Sequence, residues 1–257
     1  MGENMKLAAL SLIALVAFVQ DVAAADLDYS GSIKDEAYPP SSAIAFSRWN
    51  GAYIGVQAGG ALDLDDLSLS YNGAPVATGP LASNYNFNGV VGGIHAGYRF
   101  ATQGLVLGAE ADIEATGLKG SLTDALAGAS ASAETKINWQ GSLRARAGIS
   151  PTISSLLYIT GGLAFAQVDD KYSLTFSSGN SFGVPAGTFG ESFSDIRWGY
   201  TVGGGLEQVL TPHLATRIEY RFTDFGTYHN SSALVPGGAI DQKLQEHAVR
   251  VGLSNYF

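Results

Sequence analysis

The chain has 257 residues, with 14 Lys and Arg against 23 Asp and Glu, so its net charge is -9 and its isoelectric point about 4.8. That balance excludes nucleic acid as a partner, since such interfaces rest on basic patches. There is no cysteine, which removes disulfides and thiolate chemistry, and 33 glycines with only 14% charged residues are unusual for a soluble globular domain.

Met5-Lys6 precedes an apolar run over 7–19, and Ala23 and Ala25 form a small-x-small cleavage pattern. Residues 1–25 therefore read as a signal peptide, with the mature chain starting at Asp26. Glu3 makes Met1 a poor beginning for such a leader and favours Met5 as the start. The run is too short to span a membrane as a helix, and no later run reaches the ~18 apolar residues needed. Any membrane insertion must be by strands. Residues 26–48 mix acids, serines and Tyr38-Pro39-Pro40 without a period, and read as a flexible periplasmic leader.

From Trp49 the pattern is period 2. A first strand over 50–62 sets Ile54 and Val56 against Tyr53 and Gln57, and a second over 88–100 sets Val90, Ile94, Tyr98 and Phe100 against His95 and Arg99. A third, from Leu105, sets Leu107 and Ile113 against Glu110, Asp112 and Glu114. The fourth, 134–149, sets Trp139 and Leu143 against Arg144 and Arg146, and the fifth, 156–168, is the least polar. In the sixth, 194–208, Trp198, Tyr200 and Val202 oppose Arg197 and Glu207. The seventh, 214–222, sets Ile218, Tyr220 and Phe222 against Arg217, Glu219 and Arg221; the last, 247–257, sets Val249, Val251, Leu253 and Phe257 against Arg250.

Long connections at 63–87, 118–133, 169–193 and 226–244 alternate with short turns; the alanines of 118–133 are compatible with a short helix. Eight antiparallel strands joined long, short, long predict an all-β fold over 49–257: an eight-stranded transmembrane β-barrel of outer-membrane type. A soluble sandwich would also alternate, but its charged face would look into water. Here the polar side carries both signs, Arg99, Arg144, Arg146, Arg197, Arg217, Arg221 and Arg250 with Glu110, Asp112, Glu114, Glu207 and Glu219. The inside of a barrel this small is only just wide enough for side chains, so these charges are expected to pair into a packed ionic core. The apolar side carries Tyr98, Phe100, Trp139, Trp198, Tyr200, Tyr220, Phe222 and Phe257 near strand ends, as an aromatic girdle.

The segments 49–55 (WNGAYIG), 89–98 (GVVGGIHAGY), 199–207 (GYTVGGGLE) and 249–257 (VRVGLSNYF) resemble the small outer-membrane proteins of alpha-proteobacteria, the 25 to 31 kDa surface antigens of Brucella and the hemin-binding surface proteins of Bartonella. The resemblance implies a bacterial outer membrane, architecture akin to the OmpA membrane domain, and surface-exposed loops. As partners it implies the lipid bilayer with its lipopolysaccharide, the outer-membrane assembly machinery, which would read the terminal Phe257, and host or surface ligands. Envelope integrity, porin-like behaviour and heme binding are the roles it brings.

Nothing in the pattern favours an enzyme: the four histidines, His95, His213, His229 and His247, show no nucleophile-base spacing. Asp63, Asp65 and Asp66 read as a solvated acidic loop, and no metal site is expected. No cofactor is required. Imidazole and phenolate are iron ligands in principle, so any heme contact is expected near Tyr228, His229 and His247. The leading functional expectation is a structural, surface-interacting barrel, with a small-solute porin or a hemin-binding protein as alternatives.

Overall fold

The computed structural model describes residues 49–63, 66–71, 74–77, 87–102, 105–126, 129–178, 185–231 and 238–257. The signal peptide and leader expected over 1–48, and Asp65 of the acidic triplet, lie outside the described residues.

The described residues form eleven strands: β1 (Gly51–Asp63), β2 (Asp66–Tyr71), β3 (Ala74–Ala77), β4 (Phe87–Thr102), β5 (Leu105–Thr116), β6 (Lys119–Leu126), β7 (Ala129–Thr152), β8 (Ser155–Phe176), β9 (Gly187–Thr211), β10 (Leu214–Ser231) and β11 (Gly238–Tyr256). All belong to one antiparallel sheet in the order β1-β4-β5-β7-β8-β9-β10-β11, and β11 also pairs with β1, from Tyr53 opposite Tyr256 to Asp63 opposite Glu246. β2 adds to the upper half of β11 and β3 to β2, while β6 adds to β7.

Six of the eight expected strands lie within longer ones, the first and last overlap β1 and β11, and the segments read as long loops all contain strand. Residues 63–87 contain β2 and β3; 169–193 contain the end of β8 and the start of β9; 226–244 contain the ends of β10 and β11. The helix contemplated within 118–133 is corrected to a hairpin, with Lys119 to Leu126 pairing Lys136 back to Ala129. Ladder hydrogen bonds along β7, which also pairs with β8, override the helix preference of its alanines. Several of these extensions do alternate, as Tyr172, Leu174 and Phe176 do against Lys171, Ser173 and Thr175, but they are short and interrupted by Gly, Asp and Ser, which reads as loop.

Burial alternates along every long strand, and it is inverted relative to a soluble sheet: charged side chains are buried and large apolar ones exposed. Val90 is 72% exposed, Ile159 68% and Trp198 65%, whereas Arg99, Glu110 and Arg250 are each 1% exposed. Aromatics of the apolar face, exposed or partly exposed, form two groups. Trp139, Phe165 and Trp198 touch in sequence with ring centroids 5.9 and 5.4 Å apart, and Tyr200 meets Phe222 at 6.3 Å. Tyr98, Phe100 and Phe257 lie towards the short-turn end, where Phe257 N donates to Ala52 O opposite Tyr98.

The buried face is layered. Near the short turns, Trp49, Val106, Leu156 and Tyr158 pack together beside Tyr53, Ala215 and Tyr256. Trp49 is fully buried, and its Nε1 donates to Ser150 Oγ at 3.0 Å. Farther along lies an apolar layer including Val91, Leu118, Ile137, Val168, Phe225 and Leu244. Charged groups occupy the space between. Glycine makes that space at Gly97, where a Cβ would stand 2.5 Å from the Tyr53 hydroxyl, so the neighbouring ring lies flat over the strand.

Candidate functional site

All twelve charged residues expected on the polar side are buried. Glu110 is the hub: its carboxylate takes Arg144, Arg217 Nη1 at 2.5 Å and Arg146 Nη1 at 3.4 Å. Asp112 accepts from Arg144 Nη2 at 3.0 Å and Arg221 Nη1 at 3.1 Å, and Glu219 from Arg144 Nη1 and Arg221 Nη2, each at 2.8 Å. Glu207 joins Arg99, at 3.1 Å, to Arg146. Glu114 accepts both Nε and Nη2 of Arg250, each at 2.8 Å, a two-pronged contact that suits the planar guanidinium.

Strand period explains why so few segments assemble this network. Glu110, Asp112 and Glu114 are successive same-face residues of β5; Arg144 and Arg146 stand beside them on β7, in the pairs Glu110 with Arg144 and Asp112 with Ser142. Arg217, Glu219 and Arg221 do the same on β10; Arg217 and Arg221 reach β5, and Glu219 reaches Arg144 of β7, across the buried face rather than along the ladder. Neutral groups complete the set: Tyr53 Oη donates to Glu110 at 2.8 Å, Tyr158 Oη to Glu219 at 3.0 Å, and Gln57 Nε2 to Glu114 at 2.7 Å. Arg99 is held between the Trp49, Tyr53 and Tyr256 rings at 4.3 to 5.0 Å, and Arg146 lies 3.5 Å from the Tyr158 ring centre.

Two members were missed in the sequence. Asp170 receives Arg197 Nη2 at 2.5 Å, and Glu246 receives Arg250 Nη2 at 3.1 Å. With them, the buried face of the described residues holds seven arginines and seven carboxylates. The signal was there: five carboxylates against seven arginines left two cations over, and continuing the alternation from Ala166 through Val168 reaches Asp170, while Ala248 leads back to Glu246.

Arg197 and Asp170 lie past the apolar layer. Arg197 Nη2 also donates to Gln242 Oε1 at 3.0 Å, Gln242 Nε2 to Thr135 Oγ1 at 3.1 Å, and Thr135 Oγ1 to Asp170 at 2.7 Å. The Tyr228 ring stacks 4.7 Å from the Arg197 guanidinium, and its hydroxyl donates to Asp195 at 2.6 Å. That bond favours the neutral phenol and raises the Tyr228 pKa above its ordinary value.

The three residues named for heme do not converge. Tyr228 pairs with Gln242, a buried-face residue, and its neighbour His229 pairs with Asp241 on the alternate face. His247 is six residues from Asp241 along β11, roughly 20 Å in an extended strand, and its Nδ1 lies 2.7 Å from Tyr220 Oη among the exposed aromatics. A phenol that donates to a carboxylate is also a poor source of phenolate. His95 is buried, with Nε2 2.8 Å from Ser254 Oγ. Among the described residues, no three His, Cys, Asp or Glu side chains are grouped as a metal site.

A sheet fold whose ionic face is buried and whose apolar face is exposed, as the described residues form, defines an outer-membrane type of protein. The chain belongs to the outer membrane protein beta-barrel domain family, whose model matches residues 39–257, and within it to the small alpha-proteobacterial outer-membrane immunogenic proteins of 25 and 31 kDa. It is 30% identical to the 31 kDa outer-membrane immunogenic protein of Brucella melitensis over 88% of this chain and 90% of that one, and 29% identical to the 22 kDa outer membrane protein of Rhizobium leguminosarum over 70% and 72%. Among solved structures it is similar to OprG of Pseudomonas aeruginosa, at 14% identity and a TM-score of 0.46, covering 81% of this chain and 98% of that one. The protein resides in the bacterial outer membrane and is a β-structured surface protein there.

Proposed function

We propose that the circuit from β1 through β11 and back is a closed eight-stranded transmembrane barrel, with a packed ionic interior and a structural, surface-interacting role in the envelope. The pairing of β11 with β1 leaves no open edge at the level of the exposed apolar band, as hydrocarbon requires. The carrying observation is the inverted burial: buried Arg and Glu face one another, while Val202 and its exposed neighbours would meet acyl chains. The interior brace is formed by the twelve expected charges with Asp170 and Glu246, and the exposed aromatics form the headgroup girdle. Lipopolysaccharide would border the outer girdle, the assembly machinery would read the C-terminal strand, and a leader over 1–25 would direct export.

A porin role would need a continuous water path, and the ionic layer is bounded by apolar packing on both sides. Val202→Arg tests the assignment of faces. It should cost about 2 to 4 kcal/mol of folding into lipid, measured by the heat-dependent gel shift. Undisturbed folding of that variant would contradict the proposal.

A further inference from the structure

We propose that the free upper edge of β9 captures an extended peptide by strand addition, and that the preferred segment carries a cation flanked at two residues on either side by apolar side chains. The inference rests on the barrel reading above, which puts this edge outside the membrane.

β10 pairs with β9 from Leu214 and Thr211 up to Asp224 and Tyr200. Beyond that pair β10 carries an irregularity between Asp224 and Thr227, where Gly226 adopts φ of +76° although nothing surrounds it. The glycine is required by backbone conformation rather than by space, and the irregularity ends the ladder. β9 runs on to Gly187 while β8 pairs with its other side as far as Phe176. Among the described residues, no strand pairs with the remaining side of β9 from Gly187 to Ser194. The hydrogen bond from Tyr228 Oη to Asp195 marks the base of this opening.

Edge strands are commonly guarded by lysine or proline, and 187–194 (GTFGESFS) has neither. One face of it presents Phe189, Glu191 and Phe193 in alternation. The two rings are braced from β8, Phe189 by Phe176 at 6.2 Å and Phe193 by Tyr172 at 6.3 Å. Between them, Glu191 Oε1 is withdrawn from solvent and has no hydrogen-bond partner. A carboxylate oxygen held that way between aromatic side chains calls for a cation. On an added strand the directly opposed side chains would be one Lys or Arg facing Glu191, with apolar groups two residues to either side facing Phe189 and Phe193. A second copy of this chain is the poorer occupant, because an antiparallel pair centred on Glu191 would oppose two carboxylates, and the chain already carries a net charge of -9.

The test uses the full chain folded in detergent micelles and a ten-residue peptide bearing Phe-x-Arg-x-Phe. Saturable binding is expected, with slowed amide exchange over 187–194. Alternate N-methylation of one peptide edge should abolish binding, and Glu191→Gln should weaken it about tenfold, as for loss of a charged hydrogen bond. Binding that survives N-methylation of either edge would overturn strand addition, as would no saturable binding to protein that retains its heat-dependent gel shift. Loss of the gel shift in the parent itself would instead strike the barrel reading.

Discussion

The buried face has two polar regions, on either side of the apolar layer that includes Leu118, Ile137 and Leu244, and they are built differently. Below it, Glu110, Asp112, Glu207 and Glu219 each meet at least two arginines drawn from different strands. Above it, the ion pair of Arg197 and Asp170 is joined by the neutral groups of Gln242, Thr135 and Tyr228. A shared network braces many strands at once, so removing one member leaves several buried charges short. A lone pair ties one place. The lower region therefore holds the circuit of long strands together, and the upper one joins β8 and β9 to β11 and β7, where the ladders no longer run all the way round.

The contrast can be broken from its strong side first. Glu110→Ala leaves Arg144, Arg146 and Arg217 each without one anion, and should destabilise the folded protein by about 3 to 5 kcal/mol. Denaturant titration in lipid measures this. A loss under 1 kcal/mol would mean that the hub is no hub. Arg197→Met removes the upper tie and should cost less, about 1.5 to 3 kcal/mol. Its signature is local: faster amide exchange in upper β8, β9 and β11, with the lower strands unchanged. Equal exchange in both regions would erase the distinction.

Tyr228→Phe sharpens the same boundary at smaller scale, with an expected loss of about 0.5 to 1.5 kcal/mol. The sign of its pH dependence follows from the raised pKa. The tie to Asp195 contributes fully below the ordinary phenol range and is lost as pH rises through the higher folded value. Absorbance titration of the phenol should show the shift, and Asp195→Asn should reduce it. An unchanged curve in that variant would assign the shift to another cause.

The sequence made the lower region legible and the upper one only in part. Below, each strand has one apolar and one ionic side, so period 2 alone separates Arg144 and Arg146 from Leu143 and Ala145. Above, apolar and polar residues are mixed with Gly, Asp and Ser, and Asp170 falls in a stretch that reads as loop although β8 continues six residues beyond it to Phe176. Arg197 falls on the polar side of its strand by period alone, but its partner can be named only by counting charges. The pairs that cross the buried face, such as Arg217 with Glu110, 107 residues apart, leave no local trace in the chain. Tyr228 and His229 show the converse: adjacency suggested a shared ligand site, and strand geometry turns adjacent side chains to opposite faces.

The most direct test of the packed ionic interior is planar-bilayer recording from purified, folded monomer. Small or rare openings are expected, because paired guanidinium and carboxylate groups fill the lower region and apolar layers bound it. A large, stable conductance from the monomer would contradict it.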